Sequence, residues 1–209
     1  MSKIKNIIFD LDGTLWDSRE QIIEAWKNVI SDININAKDL DNLMGKTNAE
    51  YIKFLFPNFS DKEAEKLMKK CEVEEVKYLT QFGAKLYDNI IPIIKDLSKS
   101  YKLFIVSNCQ KGYIESFLKH YNLTEFFLDT ECNGNTNKLK EENIKLLMNR
   151  NNLKQNQTCY IGDTQSDYNA SLNNNIEFIW CRYGFGKFPN YEKYINKPEE
   201  ISCLIRTLD

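Results

Sequence analysis

The sequence predicts an α/β fold: a parallel sheet with helices on both faces, interrupted just after its first strand by an all-α block. Three observations predict it. From residue 89 onward, short apolar runs alternate with segments of helical spacing. Such alternation implies right-handed crossovers and a parallel sheet covered on both sides. Residues 18–82, in contrast, carry helical spacing only, with little clustering of β-branched residues. Finally, a chain of 209 residues, 42% hydrophobic, can bury roughly 70% of its unfolded surface. One large domain, or one domain carrying a smaller insert, follows.

The elements run in order. Residues 4–9 read as a buried strand. Ser18 with Gln21 has the spacing of a capping box, and Ile22, Ile23, Trp26, Val29 and Ile30 follow at helical intervals. A short helix fits 37–44, with Gly45 placed to end it. Thr47 with Glu50 is a second capping pattern, and that helix must stop before Pro57. Ser60 with Glu63 is a third, leading through Ala64, Leu67, Met68 and Cys71 toward residue 81. Helices then fit 89–99, 112–121, 140–152, 165–173 and 198–207. Strands fit 102–107 (KLFIVS), 126–129, 158–162 (TCYIG) and 176–180 (IEFIW). No internal repeat or low-complexity segment interrupts them.

Composition narrows the class. Net charge is -2 and the pI about 5.7. No basic stripe with interleaved aromatics is present, so a nucleic-acid partner is not expected. The six cysteines form no C-x-x-C pair, no zinc spacing and no dense disulfide framework. They read as core residues of a protein in a reducing compartment. The apolar run near the N-terminus is too short for a signal segment and is stopped by acids. No stretch approaches the ~20 apolar residues of a membrane span. A cytoplasmic protein with no membrane partner is expected.

In an open parallel sheet, ligands bind beyond the carboxyl ends of the strands. Here those ends are polar. The first strand runs into Asp10-Leu11-Asp12, the second ends in Ser107-Asn108, and the fourth ends in Gly162-Asp163 with Asp167 one turn later. Lys140 opens the helix between the last two. Each has a structural reading when taken singly: Asp-Gly is a turn dipeptide, and Ser, Asn and Asp cap helices. Their joint placement at one sheet edge points instead to a site. A calcium loop starting at Asp10 fails, because it wants an acid or amide, a glycine and a glutamate where this chain has Thr14, Leu15 and Gln21.

The ordered set DLDGT, VSN, a helix-opening lysine and GDTQSD resembles the signatures of the haloacid dehalogenase-like superfamily of phosphohydrolases, over nearly the whole chain. The helical insert resembles the α-helical cap of its phosphoglycolate phosphatase-like members. The resemblance implies a Rossmann-like core from residues 1–16 and 84–209 and a cap from 17–83. It implies that Asp10 is the nucleophile, forming an aspartyl-phosphate, and that Asp12 is general acid and then base. As residues i and i+2 of an extended strand, both would face one phosphate. It further implies a magnesium ion held by Asp10, the Asp12 carbonyl, Asp163 and, more weakly, Asp167. Ser107, Asn108, Gly13 and Thr14 would contact the phosphoryl group, and Lys140 would add positive charge near it. Many relatives carry Lys-Pro at the lysine motif; this chain has NKLKEENIKLL, so Lys138 is the alternate to Lys140.

The true dehalogenases of the superfamily lack the second acid, so Asp12 argues for phosphoryl transfer to water. The expected activity is hydrolysis of a small phosphorylated metabolite by a monomer or homodimer. A phosphomutase acting on a sugar phosphate is the alternative, and a non-catalytic phosphate-binding protein the third reading. Lys46, in the insert loop GKTN, is a candidate contact for an anionic leaving group, as Cys109, Gln110 and Tyr113 are for the substrate more generally. His120 reads as a surface residue of a helix, and YGFG at 183–186 as a turn that could rim the site.

Overall fold

The computed structural model describes residues 4–30, 33–41, 43–44, 48–187 and 191–208. In chain order the strands are β1 (Asn6–Phe9), β2 (Trp16–Asp17), β3 (Lys85–Leu86), β4 (Lys102–Ser107), β5 (Phe127–Cys132), β6 (Thr158–Gly162), β7 (Glu177–Cys181) and β8 (Tyr194–Ile195). The α-helices are α1 (Arg19–Lys27), α2 (Asn48–Leu55), α3 (Asp61–Phe82), α4 (Ile90–Leu97), α5 (Tyr113–His120), α6 (Asn133–Thr136), α7 (Lys140–Arg150), α8 (Gln165–Asn173) and α9 (Ile201–Thr207).

Six strands form one parallel sheet in the order β5-β4-β1-β6-β7-β8. The α/β class read from the sequence is thus the class observed. From β1 the sheet extends one way through β4 and β5 and the other way through β6, β7 and β8. The carboxyl end of β1 is therefore where crossovers part to opposite sides, the place where such sheets bind ligands.

Period-two alternation assigns the strand residues to two cores. Ile7 and Phe9, with Leu103, Ile105, Cys159 and Ile161, face the core under α4, α5 and α9. Ile8, Phe104, Val106, Tyr160 and Phe178 face the other, against Ile144, Leu147 and Met148 of α7 and Ala170 of α8. This two-sided burial is why the strands read as unbroken apolar runs rather than alternating ones. Asparagines do much of the turning between elements: Asn122, Asn152 and Asn175 take positive φ just past the ends of α5, α7 and α8, a conformation their short polar side chain tolerates.

The helical insert leaves the core at β2 and returns at β3. These two pair antiparallel, Trp16 with Leu86 and Asp17 with Lys85. The longest helix, α3, opens on the expected Ser60–Glu63 capping box and closes at Gly83. It packs on α1 and, across to the core, on α5. Its buried Met68, Cys71 and Leu79 join the same apolar cluster as Trp26 and Phe117.

Several local expectations change. The 37–44 helix shrinks to one 3-10 turn, Ala37–Leu40, capped by Asn36, which accepts from Lys38 N while Asp39 accepts from Asn36 N. Ser18 makes no side-chain cap bond to α1; its hydroxyl donates to Asp12 instead. The third core strand runs to Cys132 rather than 129. The pair β2/β3, the short β8 and the single-turn α6 were not expected from the sequence. Gly45, Lys46 and Thr47 lie outside the described residues. His120 is half-buried, its Nδ1 3.2 Å from the Thr80 carbonyl.

Gly83 has φ +67, and a Cβ there would lie 2.4 Å from the His120 ring. Gly83→Ala should therefore cost about 1–3 kcal/mol of stability, read as a lower urea midpoint at unchanged slope.

Candidate active site

β1 ends at Phe9, yet Asp10 N still donates to the Ile161 carbonyl of β6 at 2.8 Å, and the chain turns just after it, where Leu15 N donates to the Leu11 carbonyl at 2.8 Å. Asp10 therefore prolongs the strand and Asp12 lies in the turn beyond it. Their side chains part into two environments. Asp10 Oδ1 accepts from Lys140 Nζ at 2.9 Å. Asp12 Oδ1 accepts from Trp16 Nε1 at 2.8 Å, Tyr113 hydroxyl at 3.0 Å and the Ser18 hydroxyl. Three donors hold Asp12 on the side of the insert, which is why the simple picture of two parallel carboxylates does not hold.

Lys140 is the first residue of α7 and is buried. Its ammonium bridges Asp10 and Asp167, at 2.9 and 2.6 Å. Lys138, by contrast, is half-exposed and pairs with Glu142 at 3.4 Å, so the chain's geometry brings Lys140 and not Lys138 to the acids. Asp167 also accepts from Asp163 N, Thr164 N and the Thr164 hydroxyl, so it caps α8 while holding the lysine. Asp163 Oδ2 accepts from Phe185 N at 2.7 Å. The YGFG segment thus does border the site, and Tyr183 hydroxyl reaches back to the Thr14 carbonyl at 2.8 Å. Thr14 is fully buried. Gly13 sits at φ +79, and a Cβ there would lie 2.2 Å from Asp163 Oδ2; its role is to let Asp163 approach the loop.

Asp10, Asp163 and Asp167 present carboxylate oxygens that all lie within 4.8 Å of one another. Against these three carboxylates stands one ammonium. Burial pushes the Asp10 carboxyl up to about 7, with Asp167 adding to it and Lys140 opposing. Burial likewise holds Asp163 well above the usual carboxylate range, reinforced by Asp167 and Asp10. Burial disfavours the Lys140 charge, but Asp10 and Asp167 outweigh it and raise its pKa. Asp12 is pushed by burial to about 6, against the pull of Ser18, Tyr113 and Trp16. Asp10 Oδ2 and Asp163 Oδ1 make no hydrogen bond within the protein. Buried oxygens of this kind are costly unless something completes them.

On the insert side, Asp12, Ser107, Asn108, Cys109, Gln110 and Tyr113 meet Ile22, Trp26, Met44, Tyr51, Met68 and Glu75 around a small cavity. Ser107, Asn108, Cys109, Gln110 and Tyr113, the candidates read from the sequence at and after the end of β4, all line this cavity. Glu75 was not foreseen. It is an acid of α3 at 3% exposure, accepting from Gln110 Nε2 at 2.6 Å and from Trp26 Nε1. In sequence it sits within KKCEVEEVKYL, which looks like a solvated helix face. Its position four residues from both Cys71 and Leu79, each in the apolar stripe, was the available signal.

The sheet order and the switch point at β1 define a Rossmann-like α/β protein with a buried acid–lysine cluster at its strand ends. The chain belongs to the haloacid dehalogenase-like hydrolases: the model of that family matches residues 7–181. It is 25% identical over 186 residues to a 5'-nucleotidase of Pseudomonas aeruginosa, covering 87% of this chain and 84% of that protein. A haloacid dehalogenase-like family hydrolase from Streptococcus pneumoniae has the same fold, with a TM-score of 0.82 at 23% identity over 97% of this chain and 99% of that one. So has a predicted phosphoglycolate phosphatase from Haemophilus somnus, with a TM-score of 0.83 at 17% identity over 98% and 99%. Among the described residues no helix is long and apolar enough to cross a membrane.

Burial pushes the Glu75 carboxyl up to about 8 from its ordinary 4.5, against the hydrogen bonds of Trp26 and Gln110. The folded state then keeps a proton that the unfolded chain releases. This contribution to stability is fully present below pH 4.5 and is lost as pH rises through about 8. Glu75→Gln should flatten the fall in stability across that window, measured by urea unfolding at a series of pH values.

Proposed function

We propose that the protein is a magnesium-dependent phosphatase that hydrolyses a small phosphorylated metabolite through an aspartyl-phosphate on Asp10. Family membership together with the second acid, Asp12, supports its class, a phosphoric monoester hydrolase. The observation that carries the mechanism is the buried Lys140 bridge between Asp10 and Asp167, beside carboxylate oxygens with no partner.

The donor set fits a hard divalent cation. Once ionised, three buried carboxylates exceed the one ammonium by two charges, and oxygen-only ligands suit magnesium. Asp10, Asp163 and the Asp12 carbonyl would hold it, with Asp167 supporting. When bound, the ion supplies neutralisation of the phosphate charge and its orientation. The protein's own groups do the rest. Lys140 opposes the push of burial toward a protonated Asp10 and aims its carboxylate, as attack on phosphorus requires. Asp12, poised near neutrality by burial, protonates the leaving alkoxide and then takes a proton from the water that releases phosphate. Ser107 and Asn108, at the end of β4, take the phosphoryl oxygens. Residues 17–83 act as a cap on a core of 1–16 and 84–209, with β2 and β3 as the two connections between them; closure excludes water from the intermediate. A cytoplasmic location and a monomeric or dimeric state belong to the same reading.

Asp10→Asn should remain folded while kcat falls by about a thousandfold or more; appreciable turnover in that variant rules it out as nucleophile. Phosphate release from a panel of phosphate esters should require magnesium and stop with chelator. Magnesium should also raise the thermal midpoint of the wild type and do so less in Asp163→Asn, a readout independent of turnover. With a hexose 1-phosphate, formation of an isomer in place of free phosphate identifies a mutase instead.

A further inference from the structure

Glu75 has no part in the mechanism above, yet its surroundings are those of a ligand contact. It lies on the apolar stripe of α3, between Cys71 and Leu79, where helix packing alone asks for an aliphatic residue. A carboxylate there carries a desolvation cost that burial without a counter-charge does not repay. Its protein partners are two neutral donors, Trp26 from α1 and Gln110 from the loop after β4. No salt bridge to Glu75 is formed among the described residues.

It also borders the cavity that reaches Asp12, the group proposed to protonate the leaving alcohol. A leaving group that Asp12 protonates can therefore enter the cavity that Glu75 also lines. The remaining lining is aromatic and sulfur-rich: Trp26 and Tyr51, whose rings stand perpendicular at 6.0 Å, with Met44, Met68 and Tyr113. Aromatic faces and a carboxylate share one preference, a cation. The cavity is small, about 30 Å³ of space open to a water-sized sphere, room for about two waters. That admits only the shortest leaving groups and not a nucleoside.

We propose that Glu75 reads the leaving group, and that the favoured substrates are phosphate esters of short amino alcohols, whose protonated amine pairs with this carboxylate. The proposal rests on the phosphatase reading. A hydroxyl in the same place satisfies the acceptor without supplying the charge. A carboxylate, as in phosphoglycolate, obliges Glu75 to stay protonated. Burial leaves the Glu75 carboxyl near neutrality, so an ammonium in contact tips it to the charged form.

The test uses four esters of closely matched length: 2-aminoethyl phosphate, 2-hydroxyethyl phosphate, propyl phosphate and phosphoglycolate. An aryl phosphate is the control, and all are assayed with magnesium. Wild type should favour the aminoethyl ester in kcat/KM by about tenfold or more over the propyl ester. Glu75→Gln should bring that ratio toward one, whatever its absolute rate. If Glu75 only ties the insert to the core, the variant slows all esters alike and the ratio stays, which overturns the proposal. Equal wild-type efficiency on aminoethyl and propyl esters, or preference for the hydroxyethyl ester, phosphoglycolate or a nucleoside monophosphate, overturns it without needing the variant. Hydrolysis of the aryl ester with no amine preference removes this inference alone; no hydrolysis of any ester removes the phosphatase reading and the inference with it.

Discussion

Lys140 sits at the carboxyl edge of β1 with its ammonium removed from water, and three buried carboxylates surround the place where it is held. Desolvating such charges costs several kcal/mol per ion unless partners and hydrogen bonds replace the lost hydration. Much of the local architecture supplies those partners. The sheet order puts β1 between β4 and β6, so Asp10 and Asp163 leave neighbouring strand ends. Helix α7 begins at the lysine itself, so its side chain enters from one side while α8 brings Asp167 from another. Gly13 is without a side chain because Asp163 occupies that space. The cluster remains short of positive charge even so. That shortfall is the physical basis for expecting a divalent ion, and it arises from burial and charge count rather than from family membership.

The second acid lives under different rules. Asp12 is as buried as Asp10 in practical terms, but it faces a tryptophan indole, a tyrosine and a serine instead of an ammonium. These neutral donors pull its pKa down against burial and leave it at about 6, so it can both hold and give up a proton close to neutral pH. Two acids two residues apart are thereby separated by environment, one paired with an ammonium and one held by three neutral donors, a division that a shared environment could not produce. The donors to Asp12 come from β2, the start of the insert and α5, so its orientation depends on how the insert joins the core.

Much of the fold was legible because its determinants are local. The strand at 102–107 and the helix at 165–173 coincide with their sequence patterns, since each is a run of residues with one dominant period. The acids and Lys140 were legible because they stand at fixed offsets from those runs. What escaped depends on partners distant in sequence. Two residues at Trp16 and two at Lys85 become strands only by meeting each other. Ser18 has a cap's spacing, but its backbone sits in the αR region and its hydroxyl donates to Asp12 while accepting from Tyr113. Ser60, exposed and in the extended conformation a cap requires, keeps its capping box with Glu63. The same local motif thus has two outcomes, decided by the backbone conformation at the cap.

Glu75 follows the same logic. In sequence it is one of three glutamates among lysines and reads as solvated surface. Three-dimensional packing turns this one inward, where Trp26 and Gln110 bind its two oxygens. Those donors belong to different parts of the chain: Trp26 to the insert, Gln110 to the loop that follows β4. The bond to Gln110 therefore exists only when the insert lies against the core as it does here. A ligand cation that draws charge onto Glu75 strengthens that same bond, because a carboxylate is a better acceptor than a carboxylic acid. Recognition of the leaving group and closure over the phosphoryl group then stabilise one arrangement. Substrates that lack the cation bind without that added stabilisation, so discrimination resides in how firmly the insert is held and not in the chemistry at Asp10.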